Sequence, residues 1–340
     1  MDADLQASID RIADESGYSG VVHVSRQGRL LYERASGLAD RAHGIPNTTD
    51  TRFAIASGTK GFTALAVMAL VSDGTLTLET SVRDLLNDDL ELIDPAVTVE
   101  HLLAHTSGIG DYIDESAGCE ISDYVMGVPV HRLARAADFR AAVRGRPAAF
   151  GVGDRFAYNN SGYVVLALVV EAASGLDYHD VLGRRVFDAA GMASTGFPRS
   201  DELPGSAALC YLEVDGSRRT NQLHMPVRGV GDGGAYSTLA DLATFWPALF
   251  AGAIVPSPIV DEMVRPRNDV PSEGKRYGLG FWLRPDRDTA MLEGYDAGVS
   301  FRSAYDPESK LHYTVISNTS EGAWPLVEVL DEMLPGLATG

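Results

Sequence analysis

Lysine is almost missing from this 340-residue chain: only Lys60, Lys275 and Lys310 stand among its 28 basic side chains, the remainder being arginine. Cysteine is rarer still. Cys119 and Cys210 are no disulfide framework, and nothing in the sequence says whether the two approach each other. Basic charge is short as a whole, with 47 acidic residues against 28 basic ones and a net charge of −19. That balance argues against nucleic acid or an anionic membrane as a partner. No stretch reads as a membrane span, because the longest apolar run contains a lysine and many small residues. The opening Met-Asp-Ala-Asp-Leu-Gln is acidic where a secretory leader is basic and then apolar, so a soluble, cytoplasmic protein is expected.

Several motifs are also missing. The eight histidines show no His-Glu-x-x-His or other metal spacing, and there is no Gly-x-Ser-x-Gly nucleophile elbow. Gly229-Val-Gly-Asp-Gly-Gly234 fits Gly-x-Gly-x-x-Gly formally, yet lacks a convincing preceding strand and a ribose-binding acid in a βαβ unit. Gly274-Lys275 is followed by arginine and is no phosphate loop. Neither a metal nor an organic cofactor is expected.

What is present centres on Thr51-Arg-Phe-Ala-Ile-Ala-Ser57-Gly-Thr-Lys60-Gly-Phe-Thr-Ala-Leu-Ala-Val-Met-Ala-Leu70. From Ala54 to Ser72 the sole charge is the ammonium of Lys60, so the segment reads as a buried helix, with Gly74 as its stop signal. Ser57 falls at the start of that helix, and the i, i+3 spacing puts it on the same face as Lys60. A hydroxyl beside a desolvated amine is what nucleophilic acyl transfer requires. Arginine cannot be deprotonated in a protein but a buried lysine can, so a lysine here, in a chain that otherwise prefers arginine, points to chemistry. The plain structural alternative is an N-capping serine and a lysine snorkelling from the helix end.

Along the chain, residues 3–15 have helical spacing of Leu5, Ile9 and Ile12, and two β-rich runs around Gln27-Gly28 read as a hairpin. Residues 76 to about 220 are helices and long loops. Among them a clear apolar helix runs from Tyr163 to Ala173, another covers about 178–190, and Asp215-Gly216 marks a turn between strands. Ser237-Thr-Leu-Ala-Asp241 opens a further helix with capping-box character. Then come β-rich runs at Tyr277–Leu283, Thr289–Gly294 with 299–305, and Leu311–Ser317, closed by a helix over about 323–334. The expected fold is α+β: one antiparallel sheet assembled from both ends of the chain, flanked by terminal helices, with a mostly helical lobe inserted. Residues 1–75 and 225–340 would form the sheet domain, residues 76–224 the helical one, and the site would lie in the cleft between them.

The second chemical feature is Tyr158-Asn159-Asn160. Beside an activated serine, a tyrosine near an ammonium can carry protons, and the asparagine two residues on can hold both the lysine and a substrate carbonyl. With these residues the chain resembles the serine hydrolases built on the class C β-lactamase fold, which include family VIII esterases and DD-peptidases. Ser57-Gly-Thr-Lys60 is similar to their first motif and Tyr158-Asn-Asn160 to the second. His101-Leu-Leu-Ala-His105-Thr-Ser-Gly108 resembles their Leu-Leu-x-His-Thr-Ser-Gly stretch, and Gly233-Gly234-Ala-Tyr-Ser237-Thr238 a later conserved segment. The resemblance implies that Ser57 is acylated, Lys60 activates it, Tyr158 is general base and acid, and Asn160 is a polar clamp. It implies an oxyanion hole made by the backbone N–H groups of Ser57 and Tyr295. His105 would be structural.

The third motif departs. Where the family carries Lys-Thr-Gly or His-x-Gly, this chain has Leu292-Glu293-Gly294. Gly294 keeps the close backbone approach, but the cation is gone and Glu293 is expected to repel a substrate carboxylate. A small-molecule carboxylic ester, a related amide or a basic substrate is therefore the expected class. Two other readings stay open. One is a β-lactamase or D-amino-acid peptidase in which Arg302 or another cation replaces the lost lysine. The other is a non-catalytic binding protein derived from a hydrolase.

Overall fold

A computed structural model of the protein describes residues 2–86, 90–113 and 121–339, so Cys119 lies outside the described residues. Its centre is an eight-stranded sheet in the order Arg29–Ser36, Gly20–Arg26, Leu311–Ser317, Val299–Asp306, Ala290–Asp296, Trp282–Leu283, Lys275–Tyr277 and Asn268–Val270. Every neighbouring pair is antiparallel, and the first hairpin turns at Gln27-Gly28 as the sequence predicts.

The two faces follow from the period-2 alternation of strands. Val22, Val24, Val315 and Met291 point one way and pack with Leu5, Ile9, Leu326 and Leu330 of the terminal helices Asp2–Glu15 and Trp324–Thr339. Val21, Ile316, Phe301 and Leu292 point the other way, into a larger core built around the helix Thr59–Ser72. That helix is buried from Thr59 to Leu70, which accounts for its lack of a polar face. It contacts the helix Asn160–Ser174, so two long apolar helices lie against each other.

Four details differ from the sequence expectations. The run Tyr277–Leu283 is no single strand, because Gly278 and Gly280 fold it back so that Tyr277 pairs with Trp282. The apolar helix begins at Asn160, capped by the Asn159 side chain accepting from Gly162 N at 2.7 Å. The Ser237 helix is capped one residue later, by Thr238, while Ser237 pairs with Phe53 in a short strand. The segment 178–190 is helical but carries a π turn over Gly183–Phe187. Among the described residues, no single helix is long and apolar enough to cross a membrane.

Leu65 is fully buried midway along the serine-bearing helix. Leu65→Ala is expected to lower stability by about 2–5 kcal/mol, read from chemical denaturation. A loss below roughly 1 kcal/mol would mean that this helix is not the centre of the core.

Candidate active site

Ser57 does not cap the helix. It sits in a 3-10 turn, Ala56–Gly58, that precedes it, and Gly58 holds the N-cap position without a side-chain bond. The turn is held in an uncommon shape: Ala56 has φ +43°, in a region that disfavours L-residues by roughly 1–2 kcal/mol. Its neighbours over-determine that shape. Ile55 N donates to Ala235 O at 2.9 Å, Gly58 N to Ile55 O at 2.9 Å, and Thr59 Oγ1 to Ala56 O at 2.7 Å. Strained backbone kept in place by its surroundings is characteristic of functional sites.

The Lys60 ammonium, 2% exposed, donates to three acceptors: Ser57 Oγ at 2.9 Å, Asn160 Oδ1 at 2.7 Å and Asp232 O at 2.7 Å. It also lies 4.8 Å from the centroid of the Tyr158 ring. The structure thus brings together Ser57, Lys60, Tyr158 and Asn160. Because the lysine donates to Ser57 Oγ, the serine's own proton is left for another acceptor.

Asn160 is placed by the first turn of its helix. Asp111 caps that turn, accepting from Asn160 N at 2.7 Å and Ser161 N at 2.9 Å, and burial raises its carboxyl above the usual range. Tyr158 is placed by aromatic neighbours. Its ring stacks on Trp282 at 5.8 Å with an interplanar angle of 13°, and lies 4.5 Å from the His105 ring. His105 is the hub of this cluster. Its Nδ1 accepts from Asn159 N at 3.0 Å, so the proton of the neutral ring sits on Nε2, facing the Tyr277 hydroxyl at 3.2 Å. Burial, helped by the charge of Lys60, pushes the His105 pKa well down and keeps the ring neutral.

Gly294 meets its expectation of close approach. A Cβ there would lie 2.1 Å from Ile55 O and 3.0 Å from Ser57 N. Tyr295 lines the same cavity as Ser57, with its hydroxyl donating to Glu321 at 2.7 Å.

Glu293 overturns its expectation. Leu292 faces the serine helix, where it closes over Gly61, and strand alternation turns Glu293 the other way. Its carboxylate accepts from Lys275 Nζ at 2.7 Å and from Arg302 Nε at 2.6 Å, and Arg302 continues to Asp331 of the closing helix at 2.7 Å. The charge is neutralised outside the cavity that Ser57 lines, so it does not repel a substrate. Arg302, committed to the same cluster, is no replacement for the missing third-motif lysine.

The sequence reading missed Asp232, Tyr112 and Trp282. Asp232 lies in the glycine run 229–234, and the glycines were the signal. A Cβ on Gly231 would lie 2.0 Å from Tyr163 O and one on Gly229 2.1 Å from Gly233 O, so this backbone is pressed into the core where its carbonyl reaches Lys60. Burial raises the Asp232 carboxyl pKa against the opposing pull of Lys60 and of the Tyr112 hydroxyl, which donates to it. Among the described residues, no three His, Cys, Asp or Glu side chains are grouped to hold a metal.

A buried lysine tied to a serine hydroxyl and an asparagine, with a tyrosine beside it, has the chemical groups that serine acyl transfer requires. The family model described as Beta-lactamase matches residues 5–334, and the chain belongs to that family. It is 26% identical over 324 residues to the putative penicillin-binding protein PbpX of Bacillus subtilis, covering 94% of this chain and 75% of that protein. To the esterase EstB of Burkholderia gladioli it is 35% identical over 218 residues, 57% of this chain and about half (52%) of the esterase. A solved penicillin-binding protein from Bacillus halodurans superposes with a TM-score of 0.89 at 35% identity, covering 96% of this chain and 99% of that one.

Glu293 gives this site a direct test. Burial opposes its ionisation, but Arg302 and Lys275 together hold its carboxyl below the ordinary value of 4.5. A depressed folded pKa means that the cluster's stabilisation is complete above pH 4.5 and disappears as the pH falls through the lower folded value. Glu293→Gln is expected to destabilise the fold by roughly 3 kcal/mol and to flatten stability against pH in that acid window, while ester turnover by the folded enzyme persists. Loss of turnover without loss of stability would return Glu293 to the reaction centre.

Proposed function

We propose that this protein is a serine hydrolase that works through an acyl-enzyme on Ser57, acting on carboxylic esters or related amides. The observation that carries the reading is the Lys60 amine, bonded at once to Ser57 Oγ and Asn160 Oδ1 within an apolar core. Ser57 Oγ attacks the substrate carbonyl carbon while its proton passes to the Tyr158 phenolate, which the adjacent Lys60 ammonium stabilises. The oxyanion develops at the backbone N–H groups of Ser57 and Tyr295, with Gly294 allowing the strand to come close. As the carbonyl re-forms, the bond to the leaving group breaks and that group takes the proton from Tyr158. Water then adds to the Ser57 ester by the same steps in reverse order, releasing the acid. The proposed division into a sheet domain (1–75 and 225–340) and a helical domain (76–224) is supported by the cavity lining, which draws Ser57 and Tyr295 from the first and Tyr112 and Asn160 from the second.

A β-lactam or D-amino-acid peptide as substrate is the second reading, supported by the penicillin-binding relatives. Leu292 packed over Gly61 weighs against it, because a carboxylate finds no cation at that strand position. Turnover of nitrocefin at a rate rivalling simple esters would favour it. The intact Ser57, Lys60 and Asn160 contacts weigh against a purely binding role.

A fluorophosphonate probe should label the wild type and not Ser57→Ala, and Lys60→Met should reduce ester hydrolysis by about 100- to 10,000-fold. Retention of full activity by Ser57→Ala would refute the acyl-enzyme.

A further inference from the structure

The cavity beside Ser57 extends away from the group that protonates the leaving group. It opens to solvent and is lined by Ser57 and Asn160 but neither by Tyr158 nor by Trp282. With the leaving group at Tyr158, this space lies on the acyl side of the scissile bond.

Its wall is more apolar than polar in spite of four tyrosines. The Tyr112 hydroxyl donates to Asp232, and that of Tyr124 to Tyr112 O at 2.6 Å. The Tyr295 hydroxyl donates to Glu321, and that of Tyr236 is hydrogen-bonded to the Cys210 thiol. All four hydroxyl protons have protein acceptors, so the side chains offer the cavity chiefly their rings. Phe139 and Met126 extend the same apolar surface. Among the charged lining side chains are two carboxylates, Asp232 and Asp296, and one guanidinium, that of Arg228, whose Nε donates to Phe197 O at 2.9 Å. An anionic acyl chain entering here would lose water and meet two carboxylates against a single guanidinium.

We infer that this cavity is the acyl subsite and that it selects substrates with a bulky, uncharged aromatic acyl group over small or anionic ones. The inference rests on the acyl-enzyme reading above. Tyr124, half-buried in that wall, is a specificity-determining residue whose ring rather than hydroxyl matters.

The test uses the full chain and p-nitrophenyl esters that differ only in the acyl group: acetate, butyrate, phenylacetate and monosuccinate. The expected kcat/KM for phenylacetate exceeds that for acetate by roughly tenfold or more, and that for butyrate exceeds monosuccinate similarly. Tyr124→Phe should keep both ratios, and Tyr124→Ala should collapse the first. Acetate turned over as fast as phenylacetate overturns the subsite, and so does monosuccinate equal to butyrate. Where Tyr124→Ala does not fold, the wild-type ratios with Tyr124→Phe decide the matter. A second series of acetyl esters with phenyl and naphthyl leaving groups guards the assignment: selectivity confined to that series overturns the acyl placement. Ser57 unlabelled by fluorophosphonate, with no ester cleaved, overturns the acyl-enzyme reading as well. Labelling with inverted selectivity overturns the subsite alone.

Discussion

Everything about this site depends on burying the Lys60 ammonium. An isolated charge taken out of water costs several kcal/mol even after relaxation, so the fold is compatible with Lys60 only if all three of its protons find acceptors. Those acceptors come from three separate places in the chain: the turn at Ser57, the start of the helix at Asn160, and the glycine run at Asp232. The ammonium therefore acts as a geometric pin. Each of the three segments is positioned against the other two, and the strained Ala56 backbone is kept in register by the same assembly.

Around that pin a second set of contacts positions the tyrosine. His105 links the loop it belongs to with the Tyr158–Asn160 segment through one backbone hydrogen bond and a ring contact, and being neutral it adds no charge beside Lys60. Trp282 closes the arrangement by stacking on Tyr158, and Lys275 lies 5.1 Å from the centre of the Trp282 ring while pairing with Glu293. The third-motif strand has thus exchanged a cation pointing at the serine helix for a leucine packed on it. The charge of Glu293 on that strand is held in a cluster shared with the closing helix.

Much of this was legible because it is local. The Ser57/Lys60 spacing, the apolarity of their helix, the Tyr158-Asn-Asn160 run and the Gln27-Gly28 turn are short-range patterns, and the alternating strands announced a sheet built from both ends of the chain. What was not legible depends on partners distant in sequence. The face on which Glu293 falls is set by strand register, and its neutralisation by Lys275 and Arg302 cannot be read from Leu292-Glu293-Gly294 alone. The break at Gly278 and Gly280 was hidden by a β-rich composition on both sides. Asp232 was overlooked because its role belongs to a backbone carbonyl, which leaves no mark on residue type. The glycines around it do leave one, though their spacing also fits a nucleotide motif and a family segment.

The sheet's strand order bears on when the protein can become active. The strand Gly20–Arg26 lies between its hairpin partner and Leu311–Ser317, and Tyr18 donates to Ile316 O across 298 positions of sequence. Pairings this distant fold slowly, since the loop-closure entropy must be overcome before the contact stabilises anything. On the ribosome the strand that precedes the serine helix has to wait, its edge unpaired, until residues 311–317 emerge. The strand that carries Gly294 to the back of Ser57 is itself held by a neighbour that pairs with Leu311–Ser317. A nascent chain thus carries Ser57 and Lys60 long before their surroundings are assembled, and the wait is set by topology rather than by any inhibitor.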